Sequence, residues 1–457
     1  MTTDKPYCPP KPYSLWAVPA LFRTLWRGEG NLLELLPAAA YKFKVGNLGI
    51  SRRSTVLFND PELVNHILRD PEEIFPKSDL MVNAVEPLIG QSIFVTDGEK
   101  WRKQRAMVDP AFSMMRISHA FSQMQAAVND HETELEGRAE SGEEYSLDQA
   151  MGQLTADIIC RAVFSTSLDS NVAHDVFEDF NLFERHVAQT DIMHMITAPA
   201  WSNPPQKPEV LDACARIRQH LGTLVDTHLD PASNYNDIAS EVVSARDKET
   251  GKAFSRDELI DQLGVFFLAG HETTASVLTW VFYILAFQPN LVQRLRKEIN
   301  DVVGDGDVEF AHIKRLPLVR AVFRETLRLY PPITFIPRVA LRNAKVGPRK
   351  LRRGALVMIA PWTLHRHKLY WKDPHEFRPE RFLSEQGEQT PGAYIPFGQG
   401  NHTCVGAGFA QAESALIISR LIRRFDFVMT NTEPVRPAAR LTTRPVKQIT
   451  YRVKYSC

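Results

Sequence analysis

Cysteine is scarce: five residues in 457, at positions 8, 160, 214, 404 and 457. They are odd in number, far apart and never spaced as a C-x-x-C pair. That excludes a zinc ribbon and argues against a disulfide framework. So few thiols suit a reducing cytosol. Net charge is missing too, because 54 Lys and Arg balance 54 Asp and Glu. Nothing in the overall charge points to nucleic acid or to an anionic membrane. No window reaches the ~20 apolar residues of a membrane span. The opening MTTDKPYCPPKPYSLWAVPALF lacks the basic start and unbroken apolar stretch of a signal peptide. Internal repeats and low-complexity tracts are also absent. The expectation is a soluble, cytoplasmic protein with no transmembrane segment and no nucleic-acid partner.

What is present is ordinary globular composition, 44% hydrophobic and 24% charged, in a chain long enough for a sizeable core. STVLFNDPELVNHILRD reads as strand, turn and helix, with Asp60 as N-cap and Pro61 as first helical residue. From about Arg105 to Phe287 the pattern is mostly helical. Its breaks, AESGEEYS, SNPPQKPE and SARDKETGKAFS, read as inter-helix loops and not as domain linkers. ALVMIAPW and the alternating ITYRVKYS read as strands. Ser255 and Glu258 form an S-x-x-E capping box, and Pro289 bounds the other end of the helix between them. That leaves a largely apolar helix of roughly 30 residues, about 45 Å long, running through the core. The fold class expected is mainly α with small β-sheets, as a single domain over residues 1–457.

Inside that helix lies LAGHETTAS. It starts like the zinc-protease pattern H-E-x-x-H, but Ala275 stands where the second His belongs, so a zinc site cannot close. Ala269 and Thr273 are i and i+4 and share one face; Gly270 and Thr274 share the next. Small residues let a bulky group approach the backbone. A helical Thr hydroxyl can bond the carbonyl four residues back and bend the helix. Glu272 beside Thr273 then supplies an acid and a hydroxyl for proton transfer. On its own, the stretch favours a polar patch for packing.

A second stretch, PFGQGNHTCVGAGFA, sets Cys404 among Gly398, Gly400, Gly406 and Gly408, immediately before a helix. A thiol near a helix N-terminus has a lowered pKa and suits a metal as thiolate. The spacing F-x-x-G-x-x-x-C-x-G, at Phe397, Gly400, Cys404 and Gly406, resembles the haem-thiolate loop of the cytochrome P-450 family. AGHETT at 269–274 resembles that family's oxygen-activating helix motif. ETLR supplies an E-x-x-R pair as Glu325 and Arg328, PERF supplies Arg381, and WRKQR supplies Trp101 and Arg105. The matches run in family order from residue 101 to 406.

The residues themselves support part of this. Leu318, Val322, Glu325 and Leu329 fall on one helical stripe, so Glu325 sits on an apolar face and needs a charged partner. Arg328, one turn on, is placed to help; the resemblance nominates Arg381 as the second cation of a structural cluster. Trp101 and Arg105 point the same way, and an indole N–H and a guanidinium both suit a carboxylate.

The resemblance implies a haem-thiolate domain with its long helix over haem b (iron protoporphyrin IX). Cys404 would be the iron ligand, in a loop shaped by Phe397, Gly398 and Gly406, with Ala269 over the haem's other face. Trp101, Arg105, Arg338 and His402 would hold the haem propionates. His402 is a departure, since the family usually has Arg there; weaker or pH-sensitive haem retention is expected. Thr273 and Glu272 would manage protons for dioxygen. One oxygen atom would enter a hydrophobic substrate: a fatty acid, terpenoid, carotenoid or aromatic. Leu268, Phe266, Ile333 and Leu441 are the candidate substrate contacts, with residues 80–94. Phe180, Phe183, Met193 and Met195 are candidates for a lid, and His271 is expected to face away and pack. The chain has no flavin domain and no iron–sulfur cysteine set, so electrons would come from a separate partner. For a bacterial chain of this type that implies a ferredoxin and its NAD(P)H–ferredoxin reductase, docking near Arg102 and Lys103. The competing readings are a haem-thiolate peroxygenase or isomerase, and a non-catalytic haem-binding protein.

Overall fold

The computed structural model describes residues 7–12, 19, 31–48, 53–70, 72–168, 171–187, 206–383, 390–431 and 433–456. The helices are α1 (Pro61–Arg69), α2 (Asp79–Ile89), α3 (Gly98–Val108), α4 (Met114–Ser141), α5 (Leu147–Phe164), α6 (Asn171–Val187) and α7 (Pro208–Leu229). They continue as α8 (Ile238–Ser244), α9 (Arg256–Leu285), α10 (Pro289–Val303), α11 (Phe310–Ile313), α12 (Pro317–Leu329), α13 (Pro361–Leu364) and α14 (Ala407–Arg424). The fold is mostly helical with small sheets, as read from the sequence.

Local chemistry sets the boundaries that matter. The Asp60 carboxylate accepts the Glu62 and Leu63 N–H groups, and Pro61 opens α1. Ser255 and Glu258 close the reciprocal capping box that starts α9. Pro289 opens α10, which leaves α9 at a bend of 113°. α9 runs 30 residues and packs against α5, α7, α12 and α14. From Leu259 to Leu285 every residue of α9 is buried except Ala269, Gly270 and Thr273. Those three small residues make a window in the central helix. Gly270 also lets α5 come close: a Cβ there would sit 2.4 Å from the Ile159 side chain.

The largest sheet orders β1 (Val45–Asn47), β2 (Thr55–Phe58), β7 (Leu356–Ile359) and β4 (Ile336–Val339), with β2 and β7 parallel and the other pairs antiparallel. A second sheet orders β3 (Tyr145–Ser146), β11 (Thr450–Tyr455) and β8 (Phe425–Met429). In β11 Tyr451 and Val453 are buried while Arg452 and Lys454 face out, as the alternation requires. Two hairpins complete the set, β5 (Ala344–Val346) with β6 (Arg349–Leu351), and β9 (Pro437–Ala439) with β10 (Thr443–Pro445). The strand read from ALVMIAPW stops at Ile359, because Pro361 opens the short helix α13. Among the described residues no single helix is long and apolar enough to cross a membrane.

Candidate active site

A cavity of about 620 Å³ lies against the window in α9. The loop before α14 brings Phe397, Gly398, Cys404 and Gly406 to its wall; α9 brings Phe266, Ala269 and Thr273. Trp101 and Arg105 of α3, Arg338 of β4, and His402 line it too, as do Ile333 and Leu441. Two predicted site residues are not on this wall. Leu268 is buried in the core, and Glu272 turns away behind the helix. The proposed lid residues Phe180 and Phe183 are fully buried and also off the wall. Met193 and Met195 lie outside the described residues.

The cysteine loop is built by its glycines. Gly398 and Gly400 both have φ of +75°, a left-handed conformation that side chains resist. A Cβ on Gly400 would also sit 2.4 Å from the Leu68 carbonyl oxygen. The Cys404 N–H donates to the Phe397 carbonyl at 2.9 Å, closing the loop. Cys404 is exposed, but to the cavity and not to bulk solvent, for its sulfur lies deep in the protein. Burial therefore pushes its thiol upward, while the Gly406 N–H and the Arg105 charge pull the other way. A bound metal would settle that contest toward thiolate.

On α9 the Thr273 hydroxyl donates to the Ala269 carbonyl at 2.7 Å. Its oxygen keeps lone pairs toward the cavity. Glu272 accepts the Thr442 hydroxyl at 2.5 Å and Arg444 Nε at 2.9 Å on the same oxygen. Arg444 Nη2 holds the other oxygen, and Arg444 Nη1 reaches Asp148 at 2.8 Å. The acid and the alcohol are thus chain neighbours on different sides of α9. His271 faces away from the cavity, as read, and is fully buried.

One edge of the cavity is cationic. Arg338 is 6% exposed, and among the described residues its guanidinium has one hydrogen bond, to the Pro337 carbonyl. Burial lowers its pKa, and Asp97 and Asp70 offset part of that. Lys77 donates to the Ile93 and Thr96 carbonyls at 2.8 and 2.6 Å, and burial brings its pKa down to about 7. Arg105 Nη1 donates to the Thr403 carbonyl at 2.6 Å. The His402 ring packs tilted against Trp101, centroids 4.1 Å apart, and its buried Nδ1 has no hydrogen-bond partner among the described residues. Burial, with Lys77, Arg338 and Arg105 around it, drives His402 down to about 3. Those surroundings favour the neutral imidazole. Buried cations beside an orphaned ring nitrogen fit a ligand carrying carboxylates, and haem propionates are such groups.

Glu325, Arg328 and Arg381 come together out of water, at 0%, 0% and 1% exposure. Glu325 accepts Arg328 Nε at 2.7 Å, Arg328 Nη2 at 2.8 Å and Arg381 Nε at 3.3 Å. This cluster ties α12 to the segment 372–381 that precedes the cysteine loop. The expected docking cations are not free: Arg102 pairs with Glu73, and Lys103 with Glu99 at 2.8 Å and Glu249 at 3.4 Å.

Lys77, Thr442 and Arg444 were missed by the sequence reading. Each is remote in sequence from its partner and lies in no motif. Glu413 was missed as well. It sits on α14 with both carboxyl oxygens buried and no well-formed hydrogen bond, facing the Thr274 hydroxyl. Burial holds that carboxyl well above the usual range, hence protonated. Its spacing from Cys404 offered no cue.

The model of the family described as Cytochrome P450 matches residues 9–452. The cyclooctat-9-en-7-ol 5-monooxygenase of Streptomyces melanosporofaciens is 32% identical over 418 residues, covering 90% of this chain and 88% of that protein. The chloroplastic protein LUTEIN DEFICIENT 5 of Arabidopsis thaliana is 30% identical, covering 86% of this chain and 68% of that protein. Among solved structures, the cytochrome P450DA heme domain is similar at a TM-score of 0.78 and 24% identity, covering 91% of this chain and 89% of that one.

Proposed function

Because the chain belongs to the cytochrome P450 family, we propose that it inserts one oxygen atom of dioxygen into a hydrophobic small molecule. Electrons would come from a separate ferredoxin and its NAD(P)H–ferredoxin reductase. The whole chain is read as one haem-thiolate domain. The observation that carries the reading is the meeting of Cys404, Thr273 and the cationic edge on one internal cavity. Haem b, the family's cofactor, supplies reductive activation of dioxygen, with a thiolate ligand that favours O–O cleavage.

This chain's own residues do the rest. Cys404 would hold the iron, with the Gly406 N–H and Arg105 stabilising negative charge on sulfur. Arg105, Arg338, Trp101 and His402 would fix the propionates and so the orientation of the ring. Thr273, already donating to Ala269, presents an oxygen that accepts a hydrogen bond in the cavity and relays a proton. Glu272 would serve as the nearby acid, kept as a carboxylate by Arg444 until a proton reaches it. Phe266, Ile333 and Leu441, joined by Phe94 and Phe112, make an apolar wall that excludes water and orients substrate by shape. Among fatty acids, terpenoids, carotenoids and aromatics, the relative named for cyclooctat-9-en-7-ol supports assaying cyclic terpenoid alkenes and alcohols first.

One observation favours a second reading, a peroxygenase that takes its oxygen from peroxide: Glu272 is turned from the cavity. The first test is the absorption spectrum of the dithionite-reduced protein with carbon monoxide. A strongly red-shifted Soret band is expected and would vanish in Cys404→Ser. A band at the His-ligated position refutes the thiolate assignment. Product that needs NAD(P)H and the partner proteins supports the monooxygenase; product with peroxide alone supports the second reading.

A further inference from the structure

Behind α9, away from the cavity, Glu184 of α6 meets His271 and Glu272, with one ligand-type atom from each all within 4.8 Å of one another. The hydrogens there can be assigned. His271 Nδ1 lies 3.0 Å from the Phe267 carbonyl, which only accepts, so Nδ1 carries the hydrogen. In the neutral ring Nε2 is then a bare lone pair. It faces Glu184 Oε1 at 3.5 Å, and that buried oxygen has no hydrogen-bond partner among the described residues. A neutral ring and a carboxylate would meet there as two acceptors, a pairing that one added proton would satisfy. Phe177, Phe180 and Phe267 ring the imidazole and shield it from water.

A metal does not suit the site, because Arg444 already occupies both oxygens of Glu272 and would repel a cation. A proton suits it. The charged groups facing His271 are Glu184 from α6, Glu272 on its own helix, and Arg444 from β10, with Asp148 of α5 behind Arg444. From α5 the Thr155 hydroxyl lies 3.1 Å from the His271 carbonyl. Burial and Arg444 press His271 toward the neutral form, and Glu184 opposes them.

We propose that Glu184 and His271 together hold one exchangeable proton behind the central helix and pass it to Glu272. The proposal rests on the monooxygenase reading, in which dioxygen activation consumes protons. A proton from solvent binds Glu184, whose side chain is 16% exposed. It moves to His271 Nε2, giving an imidazolium that keeps its Nδ1–H on Phe267. It then transfers to the Glu272 carboxylate as one of that group's bonds to Arg444 or Thr442 is released. His271 returns to neutral, Glu272 becomes the carboxylic acid, and no electrons move. Because Glu184 belongs to α6, the site is complete only while α6 is docked on α9. Glu184 and His271 act through Glu272 and are positioning residues.

The test uses the full-length holoenzyme with its electron-transfer partners. Glu184→Gln removes the exchangeable carboxyl. His271→Asn keeps a donor for the Phe267 carbonyl but removes Nε2. Each is expected to lower product formed per NAD(P)H consumed by about tenfold, less than the ~10²–10⁴-fold of a group that transfers a proton directly to the reacting atoms. The solvent deuterium isotope effect should change with it, while peroxide-driven turnover stays within about twofold. Coupling and isotope effect both unchanged would overturn the proposal. So would equal loss of NAD(P)H- and peroxide-driven turnover, which marks a packing role. A second measurement needs no turnover: NMR titration of labelled His271 in the reduced carbon monoxide form. Its midpoint should fall by about one pH unit in Glu184→Gln, and an unchanged midpoint overturns the pairing. Absence of the thiolate band in the parent protein would instead refute the monooxygenase reading on its own.

Discussion

Glu325→Gln is the sharpest test of the buried charge cluster. The carboxylate accepts three guanidinium N–H groups and the Arg378 backbone N–H at 2.8 Å. Arg328 spends its remaining donors on the His365, Pro374 and Glu376 carbonyls at 2.8, 2.8 and 2.9 Å. Arg381 also donates to the Lys372 and Asp373 carbonyls at 2.5 and 2.8 Å. Glutamine keeps the shape but removes the charge and replaces one acceptor oxygen with an NH2 that points hydrogens at hydrogens. Two guanidiniums then remain out of water without the carboxylate they share. Breaking one side of a buried ion pair costs about 3–5 kcal/mol, which is ~10²–10³ or more in the folding equilibrium. The control is Arg294–Glu380, an ion pair at 2.8 Å with side chains 51% and 47% exposed. Glu380→Gln should cost at most about 0.5 kcal/mol there, because solvent screens the pair. Urea unfolding followed by far-UV circular dichroism measures both. A cost below about 1 kcal/mol for Glu325→Gln would refute the view that this carboxylate neutralises the cluster.

Three further outcomes are expected. His402→Arg should slow haem transfer to an acceptor apoprotein by about tenfold, since a guanidinium adds a charge-assisted bond that neutral imidazole lacks; equal rates would dismiss His402 as a propionate contact. Glu413→Gln should stabilise the fold more at pH 8 than at pH 5. The Glu413 carboxyl titrates higher folded than unfolded, so its stability is present at low pH and is lost as pH rises toward the folded value; a difference independent of pH would show that Glu413 is not held protonated. Leu441→Ala should weaken binding of a type-I ligand or redistribute oxidation sites, read by the Soret shift and by product analysis. Leu268→Ala should leave binding within about twofold while costing ~2–5 kcal/mol of stability as a core truncation; the reverse pattern would put Leu268 and not Leu441 on the substrate wall.

Much of the site was legible because it is local. The cysteine loop depends on glycines at fixed offsets, two of which do take positive φ. The ends of α9 follow from a capping box and a proline. Glu325 announced its need for a partner by standing on an apolar stripe. What the chain order conceals is which distant residue answers a nearby one. Arg444 reaches Glu272 from 172 positions away, and Glu184 and Lys77 belong to no recognisable pattern.

Leu268 and Glu272 miss the cavity wall together for a different reason, and that reason was readable. They are themselves i and i+4, so they share a face, just as Ala269 and Thr273 do. One residue of offset turns a helix by about 100°. Once Ala269 and Thr273 open on the cavity, Leu268 and Glu272 must open elsewhere, whatever the motif suggests. The phase of the helix therefore sends the alcohol to the reacting side and the acid to the ion-pair side. On the proposed reading, a proton delivered to Thr273 would come around the edge of α9, from groups contributed by α6, β10 and α5. The arrangement makes the acid's charge depend on elements that are not part of the central helix. On the proposed reading it is that dependence, more than the acid–alcohol spacing, which would control when Glu272 has a proton to give.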